Sequence, residues 1–250
     1  MWYGGCIRRS LRIWILRYLL KLTTMNLLLL GHGKMGRLIE SLATARKHQV
    51  RAIDIDENAH GLALTPEKLH DIDVVIDFTT PDAVMDNITG CARSGKNLVV
   101  GTTGWYGKLP EVQKLVEESG IGFVYAANFS VGVNLFFEIA KTAATALRLN
   151  YSGKISETHH AHKLDAPSGT AVMLQRVIQD AGYPPLEISS TREGEVVGMH
   201  ELVLDSLNDS ITLRHDAKSR RGFADGAMRA AEWLKGRKGF YDFKNIWRQL

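Results

Sequence analysis

Asn26-Leu27-Leu28-Leu29-Leu30-Gly31-His32-Gly33-Lys34-Met35-Gly36 decides the fold. Five residues of continuous apolar strand run into a G-x-G-x-x-G loop, and the loop opens a sequence with helical spacing. An uninterrupted apolar run of this length is what a strand needs when both faces of a parallel sheet are covered. The spacing predicts a helix from Lys34 to about Arg46 and a second strand over 50–54 that ends on Asp54. A glycine loop by itself is a weak signal. Between a strand and a helix, with an acidic residue roughly 20 positions on, it is the dinucleotide fingerprint.

Each residue type in that loop has a physical reason. Gly31 permits the tight turn, Gly33 lets the backbone approach a pyrophosphate, and Gly36 lets helix and strand pack closely. His32, Lys34 and Met35 complete the loop, whose free N–H groups at the helix start face the phosphate. Asp54 is placed to accept hydrogen bonds from the adenosine ribose hydroxyls. No arginine follows it to pair with a 2′-phosphate, so NADH is expected over NADPH, with Arg51 or Lys34 as the residues able to blunt that preference.

Downstream the alternation continues. Strands are expected over 72–78, 97–101 and 122–126, and helices over 81–94, with Pro81 in the first turn, and over 109–118. This gives an α/β, Rossmann-type doubly wound parallel sheet, whose ligands sit beyond the carboxyl ends of the strands. Three stretches lie there: Asp77-Phe78-Thr79-Thr80-Pro81, Gly101-Thr102-Thr103-Gly104 and Ala126-Ala127-Asn128-Phe129-Ser130. Their small and hydroxyl-bearing residues leave room for a nicotinamide ribose and ring, and Asn128 can bond the carboxamide. Phe78, Thr79, Gly101, Thr102, Thr103 and the Ala126–Phe129 stretch therefore join the expected cofactor site.

After Asn128 the texture changes. A long helix over 133–149, a strand over 155–159 and a helix carrying Ala171, Leu174, Ile178 and Ala181 are followed by alternating runs over 200–204 and 211–215, which suit antiparallel strands. A final helix is expected over 223–234. The chain is thus divided into a nucleotide domain, 25–127 plus 220–250, and an inserted α+β domain, 128–219.

Composition excludes several classes of function. The 250 residues are 45% hydrophobic and 23% charged, ordinary for a globular protein. The net charge of +4 resides in the leader 1–24, where Arg8, Arg9, Arg12, Arg17 and Lys21 meet no acidic residue. The remainder is slightly negative, which excludes the basic footprint of a nucleic-acid binder. The leader has an early arginine pair, but basic residues interrupt its apolar run before it reaches signal-peptide or membrane-span length. Met25 is read as the natural start and 1–24 as an extension outside the fold. Two cysteines, Cys6 and Cys91, supply no disulfide framework and suit a reducing cytoplasm.

The second informative stretch is Glu157-Thr158-His159-His160-Ala161-His162-Lys163-Leu164-Asp165-Ala166-Pro167-Ser168-Gly169-Thr170. His160, His162 and Asp165 offer a partial metal-ligand set, but Lys163 would repel a cation and no second acidic ligand is near; no metal is expected. A helix start explains more: Pro167 suits a first turn, and Ser168, Gly169 and Thr170 expose N–H groups that grip an anion, with Lys163 adding positive charge. Histidine beside them titrates near neutral pH and can move protons.

The pattern E-x-HH-x-x-K-x-DAPSGTA resembles the signature of the 4-hydroxy-tetrahydrodipicolinate reductase (dihydrodipicolinate reductase) family. The resemblance covers nearly all of 25–247, including the glycine loop, the three strand-end stretches, Gly198-Met199-His200, the run His215 to Arg220 and Phe223-Ala224-Asp225-Gly226-Ala227. It implies that His159 is the proton donor and acceptor and Lys163 a second proton donor. It implies that His160, Lys163, Ser168 and the Gly169-Thr170 backbone bind a dicarboxylate substrate. It further implies NAD(P)H-dependent reduction with loss of water in lysine and diaminopimelate biosynthesis, by a cytoplasmic homotetramer built through the second domain, with neither nucleic-acid nor membrane partners. Three departures bear on cofactor contacts and packing: the glycine loop is one residue short with Lys34 where arginine is usual, Ala161 replaces a frequent arginine, and the chain before His200 is short. Two alternatives stay open, another Rossmann amino-acid or semialdehyde dehydrogenase and a non-catalytic nucleotide sensor. The first lacks a cysteine at a strand end, and retention of His159 and Lys163 speaks against the second.

Overall fold

The computed structural model describes residues 24–250, so the leader, apart from Thr24, and the reading of Met25 as the start lie outside the described residues. Among the described residues, ten strands form two sheets. The first contains β1 (Asn26–Leu30), β2 (Gln49–Ile53), β3 (Val74–Asp77), β4 (Asn97–Val100) and β5 (Gly122–Tyr125). The second contains β6 (Ser152–His159), β7 (Glu187–Arg192), β8 (Met199–Asp205) and β9 (Ser210–Asp216), after which β10 (Gly239–Asp242) returns to the first. The first sheet has the order β2-β1-β3-β4-β5-β10 and every pair in it is parallel. Strand order reverses between β1 and β3, which opens the crevice where such sheets bind nucleotides.

Leu27 to Leu30 are all buried because successive side chains point to opposite faces and both faces are covered. Leu27 and Leu29 pack under α1 (Lys34–Ala45) and the returning helix, while Leu28 and Leu30 pack under α2 (Val84–Arg93) and α3 (Leu109–Ser119). Each such leucine contributes about 1.5–3 kcal/mol relative to an exposed one.

The second sheet, ordered β7-β6-β8-β9, is antiparallel except for the parallel β6–β7 pair. Ile155, Leu202 and Leu204 of its inner face pack against α4 (Val131–Ala143) and α5 (Gly169–Asp180). The final helix, α6 (Arg221–Leu234), belongs to the first sheet. Its Ala224, Ala227, Ala230 and Ala231 present a smooth face that is fully buried. At Gly226 a Cβ would lie 1.8 Å from the Phe129 carbonyl oxygen, so the helix reaches that carbonyl because residue 226 has no side chain.

Several expectations are corrected. Pro81 sits in a turn ahead of α2, not in its first turn: Thr80 O accepts from Ala83 N at 3.2 Å and Val84 N at 3.1 Å, and the helix starts at Val84. Pro167 likewise precedes the helix; Ser168 is the cap, its hydroxyl accepting from Ala171 N at 3.2 Å. The expected 133–149 helix ends at Ala143 and tightens into a 3₁₀ segment, Ala144–Arg148. Strands β7 and β10 were not expected. The former is a polar edge strand, and the latter is four residues long with Phe240 stacked on Phe123 of β5 at 5.4 Å.

A buried carboxylate pins the strand ends. Asp77 Oδ1 accepts from Thr79 N at 2.9 Å, Thr79 Oγ1 at 2.7 Å and Thr102 Oγ1 at 2.7 Å, while Oδ2 accepts from Asn87 Nδ2 at 2.8 Å. Burial pushes its carboxyl pKa up, against these hydrogen bonds. Among the described residues no helix is long and apolar enough to cross a membrane.

Two substitutions test this packing by urea unfolding. Gly226→Ala should destabilise the protein by about 1–3 kcal/mol through the clash with Phe129. Asp77→Ala should cost about 1–3 kcal/mol by leaving buried donors unpaired.

Candidate active site

The glycine loop follows β1 at the point where strand order reverses. Gly31 has φ +86°, and a Cβ there would lie 2.5 Å from Phe78 O; one on Gly36 would lie 2.2 Å from Gly31 O. Gly33 differs: a Cβ would meet no protein atom within 4 Å. It caps α1 without any side-chain hydrogen bond, so the first N–H groups of that helix are left to an external acceptor. An open approach to uncapped N–H groups fits a dinucleotide phosphate. Beside the loop, Gly31, Asp54 and Thr79 border a small hollow. Arg51 is turned away, donating from Nη2 to Lys68 O at 2.5 Å. His32 Nε2 lies 2.8 Å from Glu40 Oε2, and Met35 packs on the core.

At the other strand ends, Phe78 lies over Gly101, where a Cβ would sit 2.2 Å from its ring, and its ring centroid is 6.2 Å from that of Phe129. Thr102 is buried and spends its hydroxyl on Asp77. Thr103 and the Ala126–Asn128 stretch form one wall of a cleft of about 830 Å³. His159, Lys163 and the Ser168–Thr170 cap form the facing wall. Asn128 bridges the walls, its Nδ2 donating to Thr170 Oγ1 at 3.3 Å. Expected residues from the two sheets thus meet in one cleft. His160 does not line it: its Nε2 is 3.4 Å from Arg220 Nη2, and its Nδ1 is buried without a partner. His162 takes no part in the cleft lining either.

Strand alternation places Glu157 and His159 on the same face of β6. Glu157 is 0% exposed. Its Oε2 contacts His159 Nδ1, and its Oε1 accepts from Arg192 Nη2 at 2.8 Å and from Ser168 N at 3.2 Å. Burial alone would raise the Glu157 pKa, but hydrogen bonds from Arg192, Ser190 and His159 outweigh it and hold the group at about 2. The His159 pKa is lowered, chiefly by burial and further by Lys163 and Arg192, against the pull of Glu157. His200 stands edge-on to His159 with ring centroids 5.1 Å apart, and burial together with His159 brings it down to about 4. Its Nε2 lies 3.1 Å from Ser168 Oγ. Lys163 Nζ donates to Asp165 Oδ1 at 2.7 Å and holds the Asp165 carboxyl below its usual range.

Among the described residues, the one grouping able to hold a metal is Glu157, His159 and His200, with ligand atoms within 4.8 Å of one another. Arg192 already neutralises that carboxylate at 2.8 Å, so the grouping suits a proton better than a cation. Glu157, Arg192 and His200 were absent from the expected site. Glu157 carried a legible signal, two positions before His159 on a strand, whereas Arg192 depends on the unexpected β7.

Residues 25–129 match the family described as "Dihydrodipicolinate reductase, N-terminus", and residues 132–247 match "Dihydrodipicolinate reductase, C-terminus". A 4-hydroxy-tetrahydrodipicolinate reductase from Christiangramia forsetii is 38% identical over 241 residues, covering 90% of this chain and 99% of the relative. One from Pseudomonas fluorescens is 39% identical over 199 residues, covering 70% and 73% respectively. The dipicolinate-bound dihydrodipicolinate reductase of a Paenisporosarcina species has the same fold, with a TM-score of 0.74 at 24% identity over 90% of this chain and 100% of that one. With both halves matched by the family's models and relatives 38–39% identical over most of their length, the chain belongs to the 4-hydroxy-tetrahydrodipicolinate reductase family.

Proposed function

We propose that this chain performs its family's reaction in the cleft between the two sheets, with His159 and Lys163 moving protons and the α5 cap holding the substrate. The family's reaction is the NAD(P)H-dependent reduction of 4-hydroxy-tetrahydrodipicolinate to tetrahydrodipicolinate with loss of water, in lysine and diaminopimelate biosynthesis. The observation that carries the assignment is that His159, Lys163 and the Ser168–Thr170 cap face Thr103 and the Ala126–Asn128 stretch across one cleft.

The substrate is a dicarboxylate. The N–H groups of Gly169 and Thr170 open a 12-residue helix and receive one carboxylate, and the Lys163 ammonium lies close enough to serve both charge balance and proton donation. With its pKa lowered, His159 is neutral at rest and exchanges a proton with the ring or the departing hydroxyl. His160 acts from outside the cleft lining, contacting a substrate carboxylate on closure with Arg220 behind it. Bound NAD(P)H supplies the hydride. Gly31 to Gly36 hold its pyrophosphate, Asp54 its ribose, and Phe78, Thr79, Gly101, Thr102, Thr103 and Ala126 to Phe129 frame its nicotinamide end. NADH is the preferred form, since Asp54 borders the ribose hollow and Arg51 is engaged with Lys68 O. The division into 25–127 plus 220–250 and 128–219, assembly as a homotetramer through the second sheet, and a cytoplasmic setting complete this reading.

NADH oxidation coupled to dihydrodipicolinate synthase tests the roles. Lys163→Ala and His159→Ala should each lower kcat by about 10²–10⁴-fold with a smaller effect on KM; unchanged turnover in both overturns the assignment. The same assay should give kcat/KM higher for NADH than for NADPH by about tenfold or more, because a 2′-phosphate would meet the Asp54 carboxylate. Equal efficiency with both contradicts the preference.

A further inference from the structure

We propose that Glu157 is a positioning residue, held in balance by Arg192, that fixes the ring of His159 and the α5 cap as a single unit. The proposal rests on the reading of His159 as the proton donor and acceptor.

A carboxylate removed from water must fill its lone pairs with donors or become protonated. Glu157 meets four donors: His159 Nδ1 on its own strand, Arg192 Nη2 on β7 at 2.8 Å, Ser168 N at the start of α5 at 3.2 Å, and the Ser190 side chain, also on β7. The first contact commits Nδ1 of His159 as a donor, leaving Nε2 as the ring nitrogen able to exchange a proton. Gly198 keeps that edge uncovered, since a Cβ there would lie 2.9 Å from Nε2. The third contact fixes Ser168, whose hydroxyl is held from the other side by His200 at 3.1 Å. One carboxylate therefore sets both the orientation of the proton donor and the direction of the helix start that grips the substrate.

Arg192 is the counterweight. The charged and titratable groups facing His159 are Glu157 on β6, Arg192 on β7, His200 on β8 and Lys163 in the following loop. Glu157 favours imidazolium, while burial, Lys163 and Arg192 oppose it. Without Arg192 the carboxylate would draw the histidine further toward imidazolium; without Glu157 the ring would lose the acceptor that fixes its tautomer and part of its affinity for a proton.

Two variants with opposite signs test this. Glu157→Gln has one acceptor oxygen where donors approach on both sides, so the limb of the pH profile of kcat/KM belonging to His159 should move to lower pH. Turnover should fall by about 10²-fold or more, as when the orienting carboxylate of a histidine is neutralised. Arg192→Met should move the same limb to higher pH. Nitrogen NMR of histidine-labelled protein, with no substrate present, should show His159 protonated at Nδ1 in the parent protein and partly at Nε2 in Glu157→Gln. A limb that stays put or moves the same way in both variants, or an unchanged tautomer, overturns the proposal. If Glu157→Gln fails to fold, the Arg192→Met shift and the parent tautomer decide it. His159→Ala separates the two readings: retained turnover there refutes the role of His159, whereas its loss alongside an unmoved limb refutes only that of Glu157.

Discussion

The contact on which the geometry of the cleft depends is backbone against helix. The Phe129 carbonyl occupies the space where a side chain at position 226 would begin, with 1.8 Å separating it from the ideal Cβ. The chain leaves the first sheet through Ala126 to Ser130 and returns to it at α6, so outgoing and returning passes meet at this point. The ring of Phe129 adds a T-shaped contact with Phe243 at 4.8 Å and a tilted one with Phe78 at 6.2 Å. Such close-packed contacts transmit displacement instead of absorbing it. The wall carrying Asn128 and the loop carrying Phe78 are therefore indexed to one helix.

Two buried carboxylates serve the two sheets in opposite ways. Asp77 is surrounded by neutral donors, and desolvation raises its pKa above the unfolded value. The unfolded chain therefore ionises first, and stability falls as pH rises from the ordinary carboxylate range toward the raised folded pKa. Glu157 has a guanidinium partner and is held at about 2, so it contributes stability that is fully present above the ordinary carboxylate pKa and is lost as pH falls toward 2. The first strategy suits a strand end where two loops must be tied together without a fixed charge. The second suits a place where a fixed negative charge must stay beside a histidine.

Much of this architecture was legible in the residues, because the deciding signals were local. Leu27 to Leu30 declare a strand covered on both faces, and Gly31, Gly33 and Gly36 declare a turn that opens a helix. Lys163 and the Ser-Gly-Thr helix cap were legible as neighbours for the same reason. What escaped depended on partners distant in the chain. The sequence of β10 is short and becomes a strand because Phe240 finds Phe123, and β7 is polar and forms because β6 offers it a ladder. Arg192 could not be joined to Glu157 without that ladder. Prolines 81 and 167 misled because the helices start after them: the Thr80 carbonyl closes a turn across Pro81, leaving Ala83 as the cap, and Ser168 caps the helix after Pro167. His160, adjacent to His159 in sequence, faces the other way, as strand alternation at the end of β6 requires.

The ion pair between Lys163 and Asp165 gives the cleft a built-in rival for its ligand. At 2.7 Å the Asp165 carboxylate already occupies the ammonium. On the proposed reading, engagement of Lys163 by a dicarboxylate is therefore an exchange of one carboxylate for another, and only the difference between them would appear as affinity. Such a site would discriminate by shape and by the second carboxylate, since a ligand with a single negative charge would offer Lys163 nothing that Asp165 does not. The same pair would also reset the site, the aspartate closing on the lysine as product departs.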